Sequence, residues 1–129
     1  MKEIKIYIAS PYSNGWMPTN IRRQFDVANK LIGLGYFPMV PLLSHFMELY
    51  IHHEEGYWLQ HDFVFLKVCD AVLRLKPVDE KGVEIPSPGA DKEEALAREC
   101  GIPVFYSLED LNVHFKSDPT FYYRQGKLS

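Results

Sequence analysis

Residues 4–41 read IKIYIASPYSNGWMPTNIRRQFDVANKLIGLGYFPMVP. Residues 4–9 are short, apolar and β-branched and are followed by turn residues, so they read as a buried strand. Residues 10–18 hold two prolines, a glycine and an asparagine and read as a loop. Thr19 can cap a helix behind it. There Ile21, Phe25, Ala28 and Ile32 recur at spacings of four, three and four, which predicts an amphipathic helix with those four facing inward. Arg22, Arg23, Asp26 and Lys30 decorate the remainder. Gly35 stops the helix, and residues 37–41 read as a second strand weakened by its prolines. Strand, helix, strand in that order is the grammar of a parallel βαβ unit.

The alternation continues. Residues 42–67 read as helix interrupted at Gly56, and residues 71–75 (AVLRL) as a third strand. Residues 76–86 are polar and turn-rich. Ser87 and Pro88 are the N-cap and first position of a helix that reaches Cys100 and stops at Gly101. Residues 102–106 (IPVFY) read as a fourth strand, and Ser107 caps a short helix through about Val113. The pattern predicts an α/β single domain over residues 1–114, with a mostly parallel sheet of four to five strands and helices on both faces. Residues 115–129 form a C-terminal tail. Ligands of such folds bind at the carboxyl ends of the strands, which here are residues 10–18, 41–45 and 76–89.

Composition narrows the classes. The chain has 129 residues, 14 Lys+Arg against 17 Asp+Glu, a formal charge of -3, and 47% apolar residues of which many are aromatic. This is globular composition, without the basic excess that captures nucleic acid or the apolar run that spans a membrane. The two cysteines, Cys69 and Cys100, make no disulfide framework and read as small buried residues. The charged start does not read as a secretory leader, so the expected location is cytoplasmic.

Several side chains stand out near the strand ends. In the helix after Pro88, positions 93, 96, 97 and 100 share one face, which puts Glu93 on the inward side with Leu96, Ala97 and Cys100. Glu94 lies outside, four residues from Arg98. An inward Glu93 is either a functional carboxylate or one that turns back to solvent or pairs with an arginine. Ser87, Gly89 and Glu93 form S-x-G-x-x-x-E, in which Gly89 permits close approach to the backbone and Ser87 adds a hydroxyl at a helix start. Asp62 repeats the inward pattern beside Trp58 and Phe65, as a functional group or a structural acceptor. Asp70 opens a strand, where aspartate also simply makes turns. His45 follows a strand end and faces the crevice or the surface. Arg22 and Arg23 hold a phosphate or solvate their helix. His52, His53, Glu54, Glu55 and His61 lack H-E-x-x-H spacing and read as a solvated face, with no metal.

The ordered set Ile6-Tyr7-Ile8-Ala9-Ser10-Pro11, Cys69-Asp70-Ala71-Val72, Ser87-x-Gly89-x-x-x-Glu93 and Gly101-Ile102-Pro103-Val104 resembles the nucleoside 2-deoxyribosyltransferase superfamily, which includes nucleoside 5′-monophosphate N-glycosidases. The resemblance spans residues 4–106 and implies a Rossmann-like or flavodoxin-like fold. It implies that Glu93 is the nucleophile attacking the anomeric carbon and that Asp70 belongs to the active-site set. It places Ser87 and Gly89 at the sugar or phosphate, and Tyr7, with Ser10 after it, near the sugar. Nucleotide-hydrolysing relatives carry an arginine-containing loop after the first strand; here no arginine precedes Arg22 and Arg23. The implied reaction is cleavage or transfer at the N-glycosidic bond of a (deoxy)nucleoside or its 5′-monophosphate through a covalent glycosyl-Glu93 intermediate, without a cofactor. Water as acceptor gives hydrolysis and a second base gives transfer; the other class is a non-catalytic nucleotide-binding or sensor module using the same pocket. The implied partners are a small-molecule nucleoside or nucleotide and further copies of the chain, as a dimer or larger, with Phe121, Tyr122 and Tyr123 as a contact surface.

Overall fold

The computed structural model describes residues 3–54 and 56–117. Strand β1 (Lys5–Ala9) is inaccessible to water from Ile6 to Ala9, because a helix layer covers each face. The chain then forms α1 (Met17–Gly33), β2 (Phe37–Met39), α2 (Leu42–Tyr50), α3 (Tyr57–Leu66), β3 (Ala71–Arg74), α4 (Pro88–Glu99), β4 (Val104–Phe105) and α5 (Leu108–Lys116). The sheet has the order β2-β1-β3-β4 and all its pairings are parallel, with Tyr7 opposite Val72 and Val72 opposite Val104. This is the α/β architecture with helices on both faces that the strand–helix alternation predicts.

Side-chain alternation along each strand divides the core into two layers. Ile4, Ile6, Ile8, Ala71 and Leu73 pack against Ala28 and Leu31 of α1 and Leu111 and Phe115 of α5. Tyr7, Ala9 and Val72 pack on the other side, against Leu66 of α3 and Ala90 and Ala97 of α4. The predicted punctuation recurs where backbone chemistry demands it. Ser87 Oγ accepts from Ala90 N and Ser107 Oγ from Asp110 N, the expected N-caps. Gly56, at φ +84°, separates α2 from α3.

Three expectations change, the first at Cys100, read as a small buried residue and found exposed. Helix α1 begins at Met17 with Pro18 in its first turn, ahead of Thr19. Its buried stripe is Asn20, Gln24, Ala28 and Leu31, while Phe25 and Ile32 are 53% and 60% exposed. The cause is the loop after β1, whose carbonyls need donors. Asn20 Nδ2 donates to Tyr12 O at 2.8 Å and to Asn14 O, and Gln24 Nε2 to Pro11 O at 3.2 Å. Those amides take the inward positions and rotate the apolar pattern outward. At the other end, α5 continues through Lys116, and Phe115 packs edge-on against Tyr36 with ring centroids 5.8 Å apart. The packed fold thus runs beyond residue 114. The aromatic tail with Phe121, Tyr122 and Tyr123 lies outside the described residues.

Leu31 is fully buried between α1 and the sheet. Leu31→Ala is expected to destabilise the fold by about 2–5 kcal/mol, read as a lowered urea midpoint at unchanged m-value.

Candidate functional site

After β1 the chain moves to one neighbour, β2, and later crosses back to the other, β3. Loops leaving β1 and β3 diverge at that point and leave a crevice above the carboxyl ends. A cavity of about 800 Å³ occupies it. The β1–α1 loop contributes Ser10, Tyr12 and Asn14, α2 contributes Ser44 and His45, α3 Trp58 and Asp62, and the start of α4 Ser87, Gly89 and Glu93.

Glu93 is 5% exposed and accepts a hydrogen bond from the hydroxyl of Tyr7, itself fully buried. Tyr7 therefore stands behind Glu93 instead of lining the cavity. Asp62 is 6% exposed and accepts from Ser44 Oγ, with His61 Nδ1 at 3.5 Å from the same carboxylate oxygen. Burial, against the Tyr7 hydrogen bond and the Arg74 charge, pushes Glu93 up to about 8, and the negative field of Asp62 adds to the rise. Burial also raises Asp62, opposed by its hydrogen bond from Ser44 and by the nearby His61 ring. The Tyr7 hydroxyl is raised well above its ordinary value by burial and then by Glu93, so it stays protonated and donates.

The opposite wall is aromatic. Tyr12 and His45 stack with centroids 3.9 Å apart and planes 9° from parallel. Burial lowers the His45 pKa, which favours its neutral ring. The hydroxyls of Ser10 and Tyr12 are buried without a hydrogen-bond partner among the described residues. Such groups are available to a ligand at little desolvation cost. A methyl group at Gly89 would meet nothing within 4 Å, so this part of the α4 start is open. Burial, apolar and aromatic walls and a few convergent polar groups are the properties of a small-molecule site.

No family model matches the chain, and no curated protein does. Among solved structures, it is similar to a 2-deoxyribosyltransferase of the psychrotolerant bacterium Bacillus psychrosaccharolyticus, described as a biocatalyst for the synthesis of antiviral and antitumoral nucleosides. The TM-score is 0.60 and the identity 22%, over 78% of this chain and 69% of that one. The two proteins share a fold. The likeness agrees with the Rossmann-like or flavodoxin-like fold that the resemblance implies.

The structure brings Ser10, His45, Asp62, Ser87, Gly89 and Glu93 to one cavity. The other four expected residues do not line it: Tyr7 stands behind Glu93, and Asp70, Arg22 and Arg23 lie elsewhere. Asp70 sits at the amino end of β3, where its carboxylate accepts from Lys5 N at 2.8 Å. That is the end of the sheet away from the cavity. Arg22 and Arg23 line a separate shallow depression with Thr19, Asp26 and Lys30, because the rotation of α1 gives its inward positions to Asn20 and Gln24. Arg23 Nη1 donates to Asn20 Oδ1 at 2.9 Å. His52 and His53 line the cavity with separate partners: His52 pairs with Glu48 at 2.6 Å and His53 stacks on Tyr57. Among the described residues no cluster of three His, Cys, Asp or Glu is placed to hold a metal. The sequence reading passed over Tyr12, Lys92 and Arg74. A charged residue inside the apolar run AVLRL was the available signal for Arg74.

Glu93 supplies a pH test of the buried site. Below its ordinary value of 4.5 it is protonated folded and unfolded; above about 8 it is ionised in both. Between these limits the folded chain binds more protons, so stability falls as pH rises. Glu93→Gln is expected to flatten that decline, by up to about 1.4 kcal/mol per pH unit, in urea melts between those pH values. Parallel wild-type and variant curves would place the carboxylate in contact with water.

Proposed function

We propose that this chain cleaves or transfers at the N-glycosidic bond of a nucleoside, with Glu93 as nucleophile and Asp62 as proton donor and acceptor. The observation that carries the reading is a pair of buried carboxylates facing one cavity at the strand ends, Glu93 held by Tyr7 and Asp62 by Ser44. Ionised Glu93 attacks the anomeric carbon of the sugar as the bond to the base nitrogen breaks. The departing electron pair stays on that nitrogen, which takes the proton from Asp62. Water or a second base then attacks the same carbon and releases Glu93, and Asp62 recovers its proton from the attacking group. Asp62 replaces Asp70 in this scheme because Asp70 lies at the far end of the sheet. The Tyr12–His45 stack offers a flat apolar surface for a base.

The cavity favours a nucleoside over its 5′-monophosphate. Among the described residues its lining holds the carboxylates of Glu48, Glu54, Asp62 and Glu93 against the single ammonium of Lys92, and no arginine. We also propose that a second copy of the chain closes the site. Helix α2 lines the cavity through Ser44 and His45, yet Leu43, Leu49 and Tyr50 on the same helix are 63%, 77% and 84% exposed. An apolar face of this extent next to an open cavity fits a self-complementary dimer contact.

The decisive experiment incubates the protein with nucleosides and their 5′-monophosphates, with and without a free acceptor base, and follows released bases by chromatography. Turnover of nucleosides is expected, with kcat/KM falling above about pH 8, where the Glu93–Asp62 pair loses the one proton that the scheme needs. Glu93→Gln is expected to fold, bind and lose at least ~100-fold in kcat, and Asp62→Asn more than Asp70→Asn. Binding without turnover in the wild type would instead make the chain a sensor module. Light scattering is expected to give a mass of at least twice 15.0 kDa. A monomer at micromolar concentration overturns the second-copy reading, as does an unchanged mass for Leu49→Glu.

A further inference from the structure

Arg74 ends β3 and is 1% exposed, the largest completely buried side chain among the described residues. A guanidinium keeps its proton inside a protein. A full positive charge is therefore fixed beneath the start of α4, beside Ala9 on the neighbouring strand. Its strong partners come from α4. Nη2 lies 2.7 Å from Asp91 Oδ1 and Nε 3.5 Å from Glu94 Oε1, while Nη1 donates to Leu75 O at 3.3 Å. Asp91 and Glu94 bracket Glu93 along the helix. Glu94 is held in turn by Tyr106, whose hydroxyl donates to Oε2 at 2.8 Å.

On its strand Arg74 has the parity of Val72, which packs in the same layer as Tyr7. Tyr7 is the donor to Glu93. The groups around the Glu93 carboxylate are thus Tyr7 from β1, Asp62 from α3 with His61 behind it, and Arg74 from β3. The Cys69 thiol beside Tyr7 is pushed up to about 11 by burial and stays neutral at ordinary pH. Of these neighbours, Arg74 carries the permanent positive charge, and its field favours the ionised form of Glu93. A helix-holding role alone does not require an arginine, since a buried ion pair is often replaced by apolar packing without loss of stability.

We propose that Arg74 is a positioning residue for Glu93: it clamps the first turns of α4 to the end of β3 and fixes a permanent positive charge in the buried layer where Tyr7 meets Glu93. The inference rests on the reading of Glu93 as nucleophile for its catalytic consequence, but the ionisation of Glu93 can be followed without any turnover.

The test uses the full chain carrying ¹³C-labelled glutamate. The Glu93 carboxyl resonance, assigned by its loss in Glu93→Gln, is titrated in the wild type, Arg74→Met and Arg74→Lys. In Arg74→Met the Glu93 midpoint is expected to rise by at least about one pH unit, within the range that removal of a neighbouring opposite charge produces. Arg74→Lys keeps the charge and is expected to restore most of that shift. Should Arg74→Met not fold, Arg74→Gln removes the charge and keeps a donor to Asp91, with the same rise expected. In the nucleoside assay, the alkaline limb of kcat is expected to move upward with the midpoint while KM changes by less than about threefold. An unmoved Glu93 midpoint in a folded Arg74→Met or Arg74→Gln overturns the proposal. A moved midpoint in a chain whose wild type turns over no nucleoside sustains Arg74 and removes the glycosidic reading instead.

Discussion

A carboxylate and a guanidinium are kept from water at the carboxyl end of one small sheet, and much of the structure follows from that constraint. Arg74 could not be buried alone, because an uncompensated charge in a low-dielectric interior costs several kcal/mol, and Glu93 meets the same cost by holding its proton up to about 8. Tyr7, one of the few polar side chains in the sheet interior, sits on the central strand to donate to Glu93. Asp91 and Glu94 take the other side of Arg74. The first turns of α4 are thereby fixed to both β1 and β3. Ser87 and Pro88 start the helix at the required point, one by capping and one by lacking the N–H that a first turn leaves unused.

The same constraint organises the cavity. Sheet order brings β1 and β3 together, so the loops above them part and the helix starts converge on the gap. Asp62 reaches it from α3, on the same side of the sheet as α4. Its negative field opposes the ionisation of Glu93, which is the condition under which two nearby carboxyls share one proton. A nucleophile and a proton donor can then coexist at one pH.

The fold was legible because its punctuation is strong. The helix starts at Ser87 and Ser107 and the break at Gly56 depend on local backbone chemistry, which sequence carries directly. Glu93 was legible for a related reason: helical spacing tied it to Leu96 and Ala97 regardless of the rest of the chain. What local reading lacked was tertiary demand. Asn20 and Gln24 are polar, yet they turn inward because carbonyls of residues 11, 12 and 14 need donors. Their burial carries Arg22 and Arg23 away from the crevice. Asp62 and Asp70 lie eight positions apart and look alike in sequence. Only the direction of β3 separates them, one reaching the ligand end and the other closing a turn to Lys5. Arg74 was hidden inside an apolar run, because strand patterns register hydrophobic alternation and say nothing of a buried cation's partners.

Gly89 has a consequence for how such a site diversifies. Side chains that shape a pocket usually serve the core as well, so altering them trades selectivity against stability. At Gly89 the two are uncoupled: an added side chain would begin in unoccupied space at the cavity's edge and press on no neighbour within 4 Å. A graded series of small residues there would narrow the chamber stepwise while leaving α4 seated. The position acts as a size dial for the ligand, set at its widest in this chain.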